Sequence, residues 1–207
     1  FEPNKGYWFL TNNAIPFQYN NPIETDIIYN PNHNTYDNEQ LTLHNQSIMQ
    51  SVFFINNAFY NGNTISTNDQ LIIKCNDIIV GARHWAGGMT DIIAMGNDGY
   101  PQTENYCEEL QDISILIEKN DILNEMHIIG NSEWNNNDIE IISISNFELG
   151  DTNLDNNINI TDIIIIIDHI ISNNIITNSH QLMLSDLNND EAINITDIIF
   201  LTDLIIR

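Results

Sequence analysis

Asp151, Asn153, Asp155, Asn159 and Asp162 stand at positions 1, 3, 5, 9 and 12 of the stretch DTNLDNNINITD. Asp186, Asn188, Asp190, Asn194 and Asp197 hold the same positions in DLNNDEAINITD, 35 residues later. All ten side chains offer oxygen, the donor that a hard cation selects. Calcium takes about 6–8 oxygens, and a twelve-residue loop supplies them from positions 1, 3 and 5, the carbonyl of 7, position 9 through water and a carboxylate at 12. The position-7 carbonyls belong to Asn157 and Ala192. Magnesium demands stricter octahedral geometry, and zinc would call for Cys or His at the ligand positions, so neither suits these loops. The spacing therefore predicts two calcium ions. One is held by Asp151, Asn153, Asp155, Asn157, Asn159 and Asp162, the other by Asp186, Asn188, Asp190, Ala192, Asn194 and Asp197.

Two positions depart from the strongest form of such a loop. Position 6 calls for a residue at positive φ, normally Gly, and here holds Asn156 and Glu191. Position 12 is Asp rather than the longer Glu. Glu tolerates positive φ less readily than Asn, so the second loop is expected to bind more weakly.

Helices must follow the loops to present these donors. Asn159 and Asn194 are predicted N-caps, with Asp162 and Asp197 at the third helical position, where the helix dipole favours negative charge. Ile198, Leu201 and Ile205 recur at helical spacing after the second loop, as do Ile163, Ile166 and Ile170 after the first. Position 8 of each loop, Ile158 or Ile193, is expected to join the pair through a short β-bridge. The helices are apolar over more surface than a domain of about 60 residues can hide, so the surplus should pack on the rest of the chain or on another one.

LGDTNLDNNINITDIIIIIDHII and LSDLNNDEAINITDIIFLTDLII, across residues 149–207, together resemble a dockerin domain. That resemblance implies two calcium loops, each followed by a helix and lacking a preceding one, and a docking role toward cohesin modules through the two helices. Dockerin recognition residues fall near loop positions 10–11, here Ile160-Thr161 and Ile195-Thr196; the basic residues usual on the helix beyond are absent, with Asp168 and Asp203 near their places.

Upstream the chain reads as mainly β. Residues 1–38 form an expected extended arm with an aromatic knot at Tyr7-Trp8-Phe9, and residues 39–148 a β-sandwich or jelly-roll-like domain. Residues 149–207 make the small α-helical calcium domain. Candidate strands are Ser51–Ile55, Gln70–Lys74, Ile78–Ala82, Ile113–Ile117 and Ile139–Ile144. Turn chemistry sits at Asn61-Gly62, Asn76-Asp77 and Asn97-Asp98-Gly99. The V-G-A-R-x-W run at Val80–Trp85 and the M-G-x-D-G turn at Met95–Gly99 resemble an uncharacterised β-module that precedes dockerin-like tails in large secreted bacterial proteins.

Composition narrows the partners. With 29 acidic against 5 basic residues and a formal charge of −24, the chain lacks the basic cluster that nucleic acid or an anionic membrane surface requires. The longest isoleucine run, Ile163–Ile167, stops at Asp168, so no membrane insertion is expected. The first residue is Phe1 and no signal peptide is read, which suggests a processed product. Cys75 and Cys107 are the only cysteines, and one disulfide is open to them in an exported chain.

Catalysis finds little footing. Arg83, His84 and Asp91 offer a local acid–base grouping, but no nucleophile elbow, zinc-protease helix or phosphate loop is present. The expected protein is an extracellular, non-enzymatic assembly subunit. In that reading the arm adds a strand to a neighbouring copy, a homopolymer built by β-augmentation. The alternative is a module tethering a secreted protein to a cohesin-like receptor. A third reading is a glycan-binding surface lined by Trp8, Trp85 and Trp134.

Overall fold

Strand β1, Gln50–Tyr60, is the spine of the β-rich part, because it pairs on both of its edges. The computed structural model describes residues 44–207, all within the compact unit Gln40–Arg207. The arm, its aromatic knot and Trp8 lie outside the described residues. After β1 come β2 (Asn63–Thr64), β3 (Gln70–Cys75), β4 (Ile78–His84) and β5 (Thr90–Met95). There follow β6 (Gln111–Asp112), β7 (Ser114–Lys119), β8 (Ile122–Ile129), β9 (Glu133–Trp134) and β10 (Ile139–Ser145). Three helices close the chain: α1 (Ile160–Ile170), α2 (Ser179–Ser185) and α3 (Ile195–Ile206).

The fold is mainly β, as expected, and its layers are the two halves of one curled sheet in the order β2-β1-β10-β8-β7-β3-β4. β8 belongs to both halves, pairing β7 along Ile122–Met126 and β10 along His127–Ile129. β5 pairs with β1 from Gln50 to Ile55, on the edge opposite β10. The curl brings β4 back against β5 at Gly81, where an added Cβ would lie 2.1 Å from the Ile93 carbonyl oxygen. Gly96 is equally constrained, since a Cβ there would meet the Trp134 ring at 2.3 Å. These are the glycines of the V-G-A-R-x-W and M-G-x-D-G stretches, and close packing accounts for both. Gly81→Ala is expected to force β4 off β5 and cost about 3 kcal/mol, as overpacked cores do. A denaturation midpoint equal to that of the parent would show that the two strands do not approach so closely.

Asn-Asp turns make the hairpins. Asn76-Asp77 has φ of 49° and 64°, and Asn120-Asp121 has 52° and 62°. Two successive positive φ values match the right-handed twist of the flanking strands. The five expected strands are present with shifted ends; β1 runs on to Tyr60 through a register slip between Ile55 and Asn57. β5 and β8 were not among the expected strands. β8 fully buries only Met126, so its alternation leaves a faint imprint on the sequence.

The core gathers Phe53, Ile55, Leu71, Ile73, Ile115 and Ile144 from both halves. Trp85 and Trp134 are buried with them, and the Trp134 indole N–H donates to the Ala94 carbonyl at 2.9 Å. Neither tryptophan is available to a glycan. Arg83 is paired with Asp91 at 2.7 Å, which engages the carboxylate of that local grouping. Cys75 and Cys107 form a disulfide with 5.3 Å between their Cα atoms, tying the end of β3 to the loop that precedes β6.

Candidate metal centre

Each loop wraps its own carboxylates in backbone N–H groups, and the two loops do so in the same way. In the first, the Asp151 carboxylate accepts from the backbone of Asp155 at 3.1 Å and Asn156 at 2.8 Å. In the second, Asp186 accepts from Asp190 at 3.1 Å and Glu191 at 2.9 Å. Asn153 and Asn188 accept from the same position-5 amides, at 2.9 and 3.2 Å. Asp155 and Asp190 take the position-7 amides of Asn157 and Ala192, at 2.8 and 2.9 Å. The side-chain amides of Asn159 and Asn194 donate to the carbonyls of Asn157 and Ala192, at 3.1 and 2.9 Å.

Position 12 closes each loop. One Asp162 oxygen accepts from Asn153 N–H and the other from Asn159 N–H, both at 3.0 Å. In Asp197 one oxygen accepts from Asn188 N–H at 3.4 Å and, more closely, from Leu187 N–H at 2.9 Å, and the other from Asn194 N–H at 2.8 Å. The bond from Asn159 or Asn194 N–H is half of a capping box, whose other half is the side chain of the same residue over the helix start. Both predicted caps are thus present. Hydrogen bonds connect all six expected positions in each loop.

Left-handed backbone makes the wrap. Position 6 has φ of 64° at Asn156 and 66° at Glu191, the conformation that the spacing demanded. Position 4 is left-handed too, at Asn189 (55°), a type that tolerates it, and at Leu154 (62°), whose type does not announce it.

Electrostatics test the fit of a cation. Asp162 and Asp197 are fully buried and Asp151 nearly so. Among the described residues the ion pairs are Arg83–Asp91, Lys119–Asp69 and Arg207–Asp203, none of them at a loop ligand. Burial pushes the Asp151 carboxyl above its ordinary range, and the neighbouring charges of Asp162 and Asp155 push the same way. Buried carboxylates with amide partners and no counter-charge are a donor set suited to a hard cation. Among the described residues no three His, Cys, Asp or Glu side chains converge as a cluster by themselves. The expected shell is mixed, with amide and carbonyl oxygens completing the carboxylates.

Behind the loops, Ile163, Ile166 and Leu201 form a small apolar core with Ile158, Leu187, Ile193 and Ile198 around it. This shared core, repeat packed on repeat, completes the observation of two equivalent loop–helix units. Residues 149–205 match the dockerin type I domain. Neither the curated proteins nor the solved structures yielded a match to the chain. Dockerin domains are calcium-dependent protein–protein docking modules, and the match supports calcium binding and docking by this segment.

Two features of this dockerin differ from expectation. Ile158 and Ile193 pack into the apolar core, and among the described residues no β-bridge joins them. A helix does precede the second loop, for α2 ends at Ser185, directly before Asp186. Its cap is Asn178, whose side chain accepts from His180 and Gln181 N–H at 2.8 and 3.2 Å. Sequence reasoning passed over α2 and placed His180 on the surface, whereas it is fully buried, because one seven-residue helix with a single His has no repeat to flag it. Asn178 ahead of SHQLMLS was the available signal.

Proposed function

We propose that this chain is an exported protein that its dockerin segment fastens, with two calcium ions held by the twelve loop residues, to a receptor module of the cohesin kind. The division follows the sequence boundaries: an arm over 1–38, the β-rich domain over 39–148 as the tethered body, and the dockerin over 149–207. Dockerin proteins are typically secreted or on the cell surface, and the disulfide suits an oxidising compartment. Among the described residues no helix is long and apolar enough to cross a membrane.

One observation carries the reading. Ile160, Ile164 and Ile171 on the first repeat and Ile195, Ile199 and Ile206 on the second are all exposed, and each set is the other displaced by 35 residues. The helices bury Ile163, Ile166 and Leu201 and leave these stripes outward. A repeated aliphatic stripe costs solubility unless a partner covers it. With 29 acidic against 5 basic residues, a complementary receptor face is apolar at its centre and basic at its rim, whereas a second copy at −24 repels.

The homopolymer reading leans on the arm, which lies outside the described residues. The glycan reading loses Trp85 and Trp134 to the core. Isothermal titration against a panel of cohesin modules, with calcium and with EGTA, tests the docking reading. Binding to an apolar, basic-rimmed member in calcium alone is expected. Ile164→Asp combined with Ile199→Asp should weaken it at least about 100-fold, the effect of losing central apolar anchors. Calcium-dependent filaments without cohesin binding would replace this reading with the polymer.

A further inference from the structure

His180 is a fully buried polar residue that the calcium loops do not use. It sits at the start of α2 and reaches out of the dockerin segment into the end of the sheet. Its Nδ1 accepts the Gly62 N–H at 3.2 Å, in the turn between β1 and β2. A nitrogen that accepts carries no proton, so the single proton of the neutral ring is on Nε2. That N–H faces Ser145 Oγ at 2.7 Å, at the end of β10. Ser145 Oγ in turn takes the Phe147 N–H at 2.8 Å. The ring stacks on Phe59, with centroids 4.9 Å apart and planes 13° from parallel, and tilts against Phe147 at 5.7 Å. Asn178 completes the grip by donating to the Gly62 carbonyl at 3.0 Å.

We infer that His180 is a positioning residue: its neutral ring pins the dockerin segment to the end of the sheet in one orientation, and protonation of that ring releases the segment. A second ring proton would point N–H at N–H across the Gly62 contact. It would also place a positive charge where none can be matched. Phe59 from β1, Gly62 from the turn, and Ser145 and Phe147 from β10 and just beyond it are all uncharged. Within α2 no other acidic or basic side chain is present. Burial accordingly lowers the pKa of His180 to about 4. The sign follows. A free imidazole charges below about pH 6.5, while the seated one resists until about pH 4. The seat is therefore fully held above pH 6.5, and its hold is lost as pH falls through that window. This inference stands whichever receptor the segment meets.

Nitrogen-15 NMR of the full chain in calcium reads the ring directly. The expected result is an unprotonated Nδ1 at pH 7 and a titration midpoint well below 6. An ordinary midpoint, or a proton on Nδ1, would overturn the inference. Hydrogen exchange of the Gly62 and Phe147 amides gives the second test. Between pH 7 and pH 4.5 their protection factors should fall at least ten-fold in the parent and stay level in His180→Asn, which keeps an acceptor but has no proton to gain. Equal losses in both proteins would assign the release to the carboxylates instead, and no loss in either would remove the latch. Should His180→Asn fail to fold, His180→Phe keeps the stack without the acceptor. Its Gly62 amide should then be unprotected at every pH, and protection retained in that variant would count against the proposal.

Discussion

Excess EGTA, added to the protein in about 1 mM calcium, is expected to unfold residues 149–207 and leave the curled sheet standing. The cause lies in Asp162 and Asp197, fully buried, and Asp151, nearly so, which no Lys or Arg pairs with among the described residues. An ion bound at an affinity of ~10 μM contributes roughly 2.7 kcal/mol at ~1 mM calcium, and two such ions contribute about 5. That is comparable to the whole stability of a small domain. The readouts separate cleanly. Among the described residues all three α-helices fall after residue 149, so helical circular dichroism follows the dockerin segment. Trp85 and Trp134 are in the sheet core and no Trp occurs after residue 134, so indole emission follows the sheet, with Trp8→Phe removing the third contributor. The helical signal should collapse while the emission maximum holds. A helical signal unmoved by EGTA would refute the calcium assignment. Because Glu191 is held at φ 66° where the first loop has Asn156, calcium titration should show the second site filling last.

The second large effect belongs to the Cys75–Cys107 disulfide, whose partners are 32 residues apart in sequence. Closing a loop of that length removes about 4 kcal/mol of unfolded-state entropy at 25 °C. Reduction, or Cys75→Ala with Cys107→Ala, should lower the Tm of the sheet by roughly 15 °C. The calcium-dependent helical transition should shift far less, since neither cysteine is in the dockerin segment. An identical Tm in oxidised and reduced protein would mean that the crosslink does not constrain the unfolded chain.

The parts of the molecule that repeat were the parts that could be read from its residues. Asn159 and Asp162, with Asn194 and Asp197, specify cap and loop closure by type and spacing, and the hydrogen bonds follow them atom for atom. The Asn-Asp turn at Asn76-Asp77 was legible for a similar reason, because few residues accept positive φ. Pairing was a different matter. β1 against β10 is a parallel contact between residues such as Phe53 and Glu140, and no local pattern encodes it. Helix α2 and His180 escaped because their meaning lies in Gly62 and Ser145, far away in sequence. Gly81 and Gly96 were visible as residues but not as contacts, since only the curl brings Ile93 and Trp134 against them.

The parallel pairing of β1 with β10 also sets a timetable. Val52 finds Ile139, and Phe59 finds Ser145, only when the last strand of the sheet has been made. Until then β1 can form its hairpin with β2 and pair with β5, but its other edge has no neighbour. Contacts this distant along the chain close slowly. The sheet is therefore sealed as a late event, once β10 has been made. The dockerin segment begins at Leu149, just beyond Ser145, and the folding expected of its calcium loops comes later still. A protein built in this order reaches its final shape only after its last strand and its calcium loops are in place.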